Sequence, residues 1–262
     1  MTLGFNAGLV QWQGRAVSEW RDLWLIPDLR ILAITGSTND VLRELAEHGA
    51  AEFTAVIAEE QTAGRGQHGR AWHGTPLKSL HLSVLLRPHD LSCLTATPIR
   101  VGMATAFALR TVTGLQVGLK WPNDLQVNGR KLGGILCESV SGAAPYIIVG
   151  IGVNVLQAAD DFPRDLGASA TSIRAEGSPA DRAAVAGAII SALRAAAARI
   201  ASPFDEEEAS QFGQLDVLRG QPIQHDGKPA GTAAGLSASG ALRVFQNGAV
   251  HEIRSGTVRR AD

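Results

Sequence analysis

The chain has 262 residues, which is more than one average domain and enough for a large domain with a small one beside it. It is 45% hydrophobic and 19% charged with a net charge of -1, which suits a soluble globular enzyme and excludes a global field that would draw it to nucleic acid or a membrane. Cys93 and Cys137, the two cysteines, make neither a disulfide framework nor a zinc pattern and fit a reducing cytosol; with no basic start followed by an apolar run, no signal peptide is expected, and Arg194 and Arg199 interrupt the nearest thing to a membrane span, 183–200.

In chain order, residues 1–30 read as irregular, with Trp12, Trp20 and Trp24 as anchors. Residues 31–34 read as a short strand. Ser37-Thr38-Asn39-Asp40 then offers helix-capping side chains to an amphipathic helix carrying Val41, Leu42, Leu45 and Ala46, and Gly49 stops it. Strands follow at 54–58 and 80–86, with a glycine-rich loop between them. Residues 98–112 read as a largely buried helix closed by Gly114. A strand at 116–120 ends at Trp121-Pro122-Asn123-Asp124. Residues 125–127 and 131–138 form a hairpin through Asn128-Gly129. Residues 146–150 and 153–156 continue the sheet as two strands. Ser178-Pro179 starts a long alanine-rich helix with proline in its first turn, and 205–212 is a shorter acidic helix. From Leu215, turn signals at Asp226-Gly227, Ser239-Gly240, Asn247-Gly248 and Ser255-Gly256 punctuate short apolar runs, which predicts a small β-barrel-like domain of about five strands.

The loop Gln61-Thr62-Ala63-Gly64-Arg65-Gly66-Gln67-His68-Gly69-Arg70-Ala71-Trp72 carries the most chemistry. Its glycines let the backbone approach a ligand, and its arginines bring forked cationic donors that match carboxylate and phosphate. Gly64-x-Gly66-x-x-Gly69 spells the dinucleotide fingerprint, but Gly74, Pro76 and then a strand follow where that motif needs a helix. The phosphate-loop pattern is absent too. Two further segments sit downstream: Lys120-Trp121-Pro122-Asn123-Asp124 at a strand end, and Arg130-Lys131-Leu132-Gly133-Gly134-Ile135 across the hairpin from it. Each alone reads equally well as a turn with surface charge; the three in this order do not. His68 and His73 lack partners at metal-ligand spacing, so no protein metal site is expected.

Together with Ser37-Thr38-Asn39, Leu80-His81-Leu82-Ser83, Gly150-Ile151-Gly152-Val153-Asn154 and Ala170-Thr171-Ser172-Ile173, these segments resemble biotin–protein ligases from Ile31 to the end of the chain. The resemblance implies an α+β fold: a class II synthetase-like mixed β-sheet backed by helices (31–214), then an SH3-like β-barrel (215–262), with 1–30 as an N-terminal extension. It implies a two-step reaction in which MgATP activates biotin to biotinyl-5′-AMP and the biotinyl group passes to a lysine of a biotin carboxyl carrier domain of acetyl-CoA carboxylase. Both first-step substrates are anions, so fixed cations and N–H groups must screen them, and a closing loop must keep water from the intermediate.

Carried over position by position, the resemblance puts Lys131 on the biotin carboxylate and α-phosphate and Arg65 under their junction. Asp124 orients the acceptor lysine or assists with Mg²⁺. Ser37, Thr38, Asn39 and Gln61 belong to the biotin end, with Gly64 and Gly134 giving close backbone approach. Gln67, Arg70, Trp72, Lys120, Asn123 and Asn154 belong to the ATP end, and Trp121 walls the pocket. Capping alone also explains Ser37 and Thr38, and a glycine turn alone explains Asn154. The family commonly has GRGRxGR in the loop, and Gln67 here replaces one of its arginines.

Some members of this family carry an N-terminal DNA-binding module. Residues 1–30 are too short and too poor in basic residues for one, so the expectation is a monofunctional cytoplasmic ligase, monomer or homodimer, that binds neither DNA nor membrane. A lipoate–protein ligase is the nearest rival enzyme, although its Arg-Arg-x-Ser-Gly-Gly-Gly loop differs from this one. A non-catalytic biotin sensor is the rival of another class.

Overall fold

The computed structural model describes residues 8–89, 91–142, 144–163, 166–179 and 181–261. Residues 8–30 are not irregular. A hairpin of β1 (Gln11–Trp12) and β2 (Arg15–Ala16) runs into α1 (Val17–Leu23), and Gln13 and Gly14 turn it with φ of 48° and 78°. Trp12, Trp20 and Trp24 are buried against one another, Trp20 stacking on Trp24 with centroids 5.4 Å apart. Elements of two to seven residues are too short to show a period, so aromatic packing decides them.

Next come β3 (Leu29–Thr35), α2 (Thr38–Glu47), β4 (Ala55–Gln61), the glycine loop with a 3₁₀ turn at Gln67–Gly69, and β5 (Ser79–Leu86). Ser37 holds the N-cap position of α2, but its side chain makes no capping hydrogen bond. The chain continues through α3 (Thr97–Thr113), closed by left-handed Gly114, then β6 (Gly118–Lys120), β7 (Asp124–Val127) and β8 (Arg130–Val140). Asn128 and Gly129, both with positive φ, make the expected hairpin turn. β9 (Tyr146–Asn154) is one unbroken strand where two were expected, because its glycines weaken the strand signal without ending the pairing. α4 (Arg182–Ala196) starts later than expected: Asp181 caps it by accepting from the Ala184 N–H, and Pro179 lies outside the first turn. α5 (Glu206–Gly213) opens with a capping box between Asp205 and Glu208.

The seven-stranded sheet runs β3-β4-β5-β9-β8-β7-β6, with β3 and β4 parallel and every other pair antiparallel. Alternation sets its two faces. In β5, Leu80, Leu82, Val84 and Leu86 join the main core, while Ser79, His81 and Ser83 point the other way. In β9, Ile147, Val149, Ile151 and Val153 face the same core, under α3 and α4. On the opposite face α2 covers one end with Leu42, Leu45 and Ala46 against Val56, Ala58, Leu85 and Ile148. The rest of that face has no helix on it among the described residues.

The last strands are β10 (Pro222–His225), β11 (Lys228–Leu236), β12 (Leu242–Gln246), β13 (Ala249–Ile253) and β14 (Val258–Arg260), an antiparallel sheet in the order β13-β12-β11-β10-β14 that has the five strands expected and is consistent with a small SH3-like domain. Its Ile223, Leu242, Val244 and Val258 belong to the same buried cluster as the main sheet, and Trp121 Nε1 donates to Gly240 O at 3.0 Å across the junction. Among the described residues no helix is long and apolar enough to cross a membrane.

Candidate active site

The uncovered face is floored by one cross-strand row: Ala58, His81, Gly152, Gly134, Asp124 and Lys120 lie directly opposite one another in successive strands. Opposed residues share a face, so two adjacent glycines leave a bare gap between His81 and Asp124. The Trp72 indole fills part of that gap. A Cβ on Gly152 would come within 2.5 Å of its ring, and one on Gly134 within 3.5 Å. Ser83, Gly150 and Leu136 form the next row, with the Asn39 amide over Gly150.

Above this floor is a cavity of about 150 Å³ lined by Ser37, Thr38, Asn39, Gln61, Arg65, Gln67, Arg70, Trp72, Lys120, Trp121, Asn123, Asp124, Lys131 and Gly134. The structure thus brings together nearly all the site residues read from segments far apart in the chain. A broader cleft of about 740 Å³ lies on the other side of residues 71–76 and takes Gly64 and Asn154, with Phe162, Pro163 and Leu166 as an apolar wall. Gln61, Trp72 and Lys131 line both.

At the charged end, Lys131 Nζ donates to Asp124 Oδ1 at 2.5 Å and sits 5.8 Å from the Trp72 ring centroid. Lys120 Nζ is 3.8 Å from the other Asp124 oxygen; burial pushes its pKa down despite that carboxylate. Asn123 Nδ2 donates to Ile135 O at 2.8 Å, which pins the turn between β6 and β7 to β8. At the polar end, Gln61 Oε1 accepts from the Thr38 N–H and hydroxyl at 2.8 and 3.0 Å, and Ser83 Oγ lies 2.7 Å from Thr38 Oγ1 and 2.6 Å from Asn39 Oδ1. Asn39 Nδ2 donates to Glu138.

Two predicted residues stand differently from the rest. Arg65 does not point at Lys131; its guanidinium forks onto Asp40, with Glu138 3.8 Å away. Asn154 is buried and committed, donating to Thr171 O and accepting from Gln157. Sequence reasoning gave no place in the site to Ser83, Glu138, Asp40, His81 or Thr257. The alternation of polar and apolar residues in β5 was the available signal for Ser83 and His81. His81 is 2% exposed; Nδ1 faces Ala58 O at 3.2 Å, Nε2 has no partner, and burial lowers its pKa. Trp72 Nε1 is likewise buried without a partner. Such orphans in a cavity wall fit a site built for a polar ligand.

Fold and site define a mixed-sheet domain in which a glycine loop roofs a cationic pocket. Residues 31–154 match the model of the Biotin/lipoate A/B protein ligase family. A Bacillus spizizenii protein, "Bifunctional ligase/repressor BirA", is 40% identical over 158 residues, covering 58% of this chain and 48% of its own. A Mycobacterium tuberculosis "Biotin--[acetyl-CoA-carboxylase] ligase" is 37% identical over 187 residues, 69% of this chain and 65% of its own. The chain spans about half the length of the Bacillus relative. A solved biotin protein ligase from Aquifex aeolicus in complex with biotin and ATP superposes with a TM-score of 0.78 at 28% identity, over 90% of this chain and all of that one. Over residues 31–154 the chain carries the domain of the biotin/lipoate protein ligase family.

Proposed function

We propose that this chain is a biotin–protein ligase that converts biotin and MgATP to biotinyl-5′-AMP and transfers the biotinyl group to a lysine of a biotin carboxyl carrier domain. The observation that carries this reading is the place of Lys131. It lines both the pocket and the neighbouring cleft, so it stands where an acyl carboxylate in one would meet an α-phosphate in the other.

The polar end, with Thr38, Asn39, Gln61 and Ser83, offers donors and acceptors side by side and suits a ureido head; Ser37 completes its rim. The glycine floor gives room for an acyl chain. Lys131 neutralises the carboxylate and phosphate as they approach and stabilises charge at phosphorus. Arg65 and Arg70 bring further positive charge from the loop, and Gln67 and Trp72 close over the junction. Lys120 and Asn123 line the pocket beside Lys131 and face the α-phosphate where it enters from the cleft, and Gly64 and Asn154 border the cleft assigned to the nucleoside. Asp124, held between two lysines, is placed to accept a hydrogen bond from the acceptor lysine. Among the described residues no group of three His, Cys, Asp or Glu side chains could hold a metal. Mg²⁺ would enter with ATP, and Asp124 is the carboxylate that would hold it.

The acceptor we assign is the carrier domain of acetyl-CoA carboxylase. Residues 8–30 pack as a tryptophan-anchored cap, and we give them no DNA-reading role. The test is incubation with ATP, labelled biotin or labelled lipoate, and an acceptor domain. Label on the acceptor lysine from biotin alone supports the reading; label from lipoate alone, or none, overturns it. Lys131→Ala should lower adenylate formation roughly 100-fold or more, with a melting temperature close to the parent's. Near-normal formation would reject the role given to Lys131.

A further inference from the structure

The glycine loop is a closed unit. Gly66 N donates to Arg70 O at 2.7 Å, Trp72 N donates to Gly64 O at 2.9 Å, and Arg65 bridges Ala71. Such a unit moves as one piece, so what holds its corners decides whether it covers the site. Arg65 anchors one corner: Nη1 and Nη2 donate to the two Asp40 oxygens on α2 at 2.7 and 2.5 Å. Arg70 anchors the other: Nη2 donates to Thr257 Oγ1 at 2.7 Å. Thr257 is itself fixed, since its N–H donates to Asp226 Oδ1 at 2.8 Å, and the neighbouring Ser255 carbonyl lies 2.8 Å from His225 Nε2. The loop therefore spans from the first turn of α2 to the C-terminal sheet and crosses the pocket on the way.

We propose that Asp40 and Thr257 are positioning residues that act through Arg65 and Arg70 to hold the glycine loop shut over the site, so that a bound acyl-adenylate is retained and shielded from water. This rests on the ligase reading above. The two tethers differ in kind. Arg65–Asp40 is a forked ion pair with both side chains substantially exposed, so salt weakens it. Arg70–Thr257 joins a cation to a neutral hydroxyl and responds less to salt. The second tether makes the C-terminal sheet part of the lid and gives that sheet a function besides packing.

The experiment loads the full chain with biotinyl-AMP from labelled biotin and ATP, removes free substrates, and follows loss of label at low and high salt. The parent should release adenylate faster at high salt. Asp40→Asn should release it roughly three- to tenfold faster at low salt, with little further change as salt rises. Thr257→Val should also release it faster but keep the parent's salt dependence, and Asp40→Glu and Thr257→Ser should each recover part of the retention. Without any ligand, trypsin should cut after Arg65 sooner in Asp40→Asn and after Arg70 sooner in Thr257→Val, at melting temperatures near the parent's. Parent-like release and proteolysis in both variants would overturn the inference alone. A parent chain that makes no adenylate would overturn the ligase reading and this inference with it.

Discussion

Gln67 is the loop position where the resemblance leads one to look for a guanidinium. It lies in the 3₁₀ turn Gln67–Gly69, beside His68 with a left-handed φ of 56°, and its side chain borders the pocket. A neutral amide still hydrogen-bonds a phosphate but gives up the charge-assisted part, about 1 kcal/mol in a closed site. Gln67→Arg should therefore slow adenylate loss from pre-loaded enzyme about fivefold; equal or faster loss would refute this. At this scale the sequence told much. Lys131, Asp124, Lys120 and the loop were legible because their residue types and order are chemically unusual. Asp40 hid within a string that reads as a helix start, and Thr257 lies 187 positions from Arg70, so no local signal joins them.

Among the elements, β9 shows most clearly how alternation builds the site. Its apolar positions bury against the core helices, while Gly150 and Gly152 leave the other face bare for Asn39 and Trp72. A methyl group at Gly152 has to displace the Trp72 ring. Gly152→Ala should destabilise the fold by about 1–3 kcal/mol and raise the KM for biotin, since the indole would be pushed into the cavity. A parent-like KM with unchanged thermal stability would show that Trp72 has other room. The same glycines made β9 read as two strands, because a strand's signal comes from side chains while its pairing comes from backbone. The late start of α4 has a similar cause: Asp181 wins the cap by meeting the Ala184 N–H, and Ser178-Pro179 only resembles a helix start.

Taken whole, the molecule is tied together by contacts between segments far apart in the chain. Arg182 at the start of α4 forms a buried forked ion pair with Glu59 on β4; Trp12 Nε1 donates to the same carboxylate at 2.6 Å, and the guanidinium lies over the Trp12 ring. Removing one partner leaves a buried charge, so Arg182→Ala should cost about 3–5 kcal/mol, whereas the paired change Glu59→Leu with Arg182→Met should cost far less. Denaturant melts of the three proteins compare these directly, and equal losses in the single and double variants would show that the pair's charge is not what matters. By itself the sequence determined most element types beyond residue 30, the small C-terminal β sheet, and the residue types of the glycine loop, because periodicity, turn chemistry and motif spacing act over short range. The tertiary structure alone decided that the glycines of β8 and β9 fall in one row, that Arg65 turns to Asp40, and that the C-terminal sheet reaches the loop through Thr257. Those outcomes depend on strand register and on burial shared between distant segments, and neither is written in any local stretch of the chain.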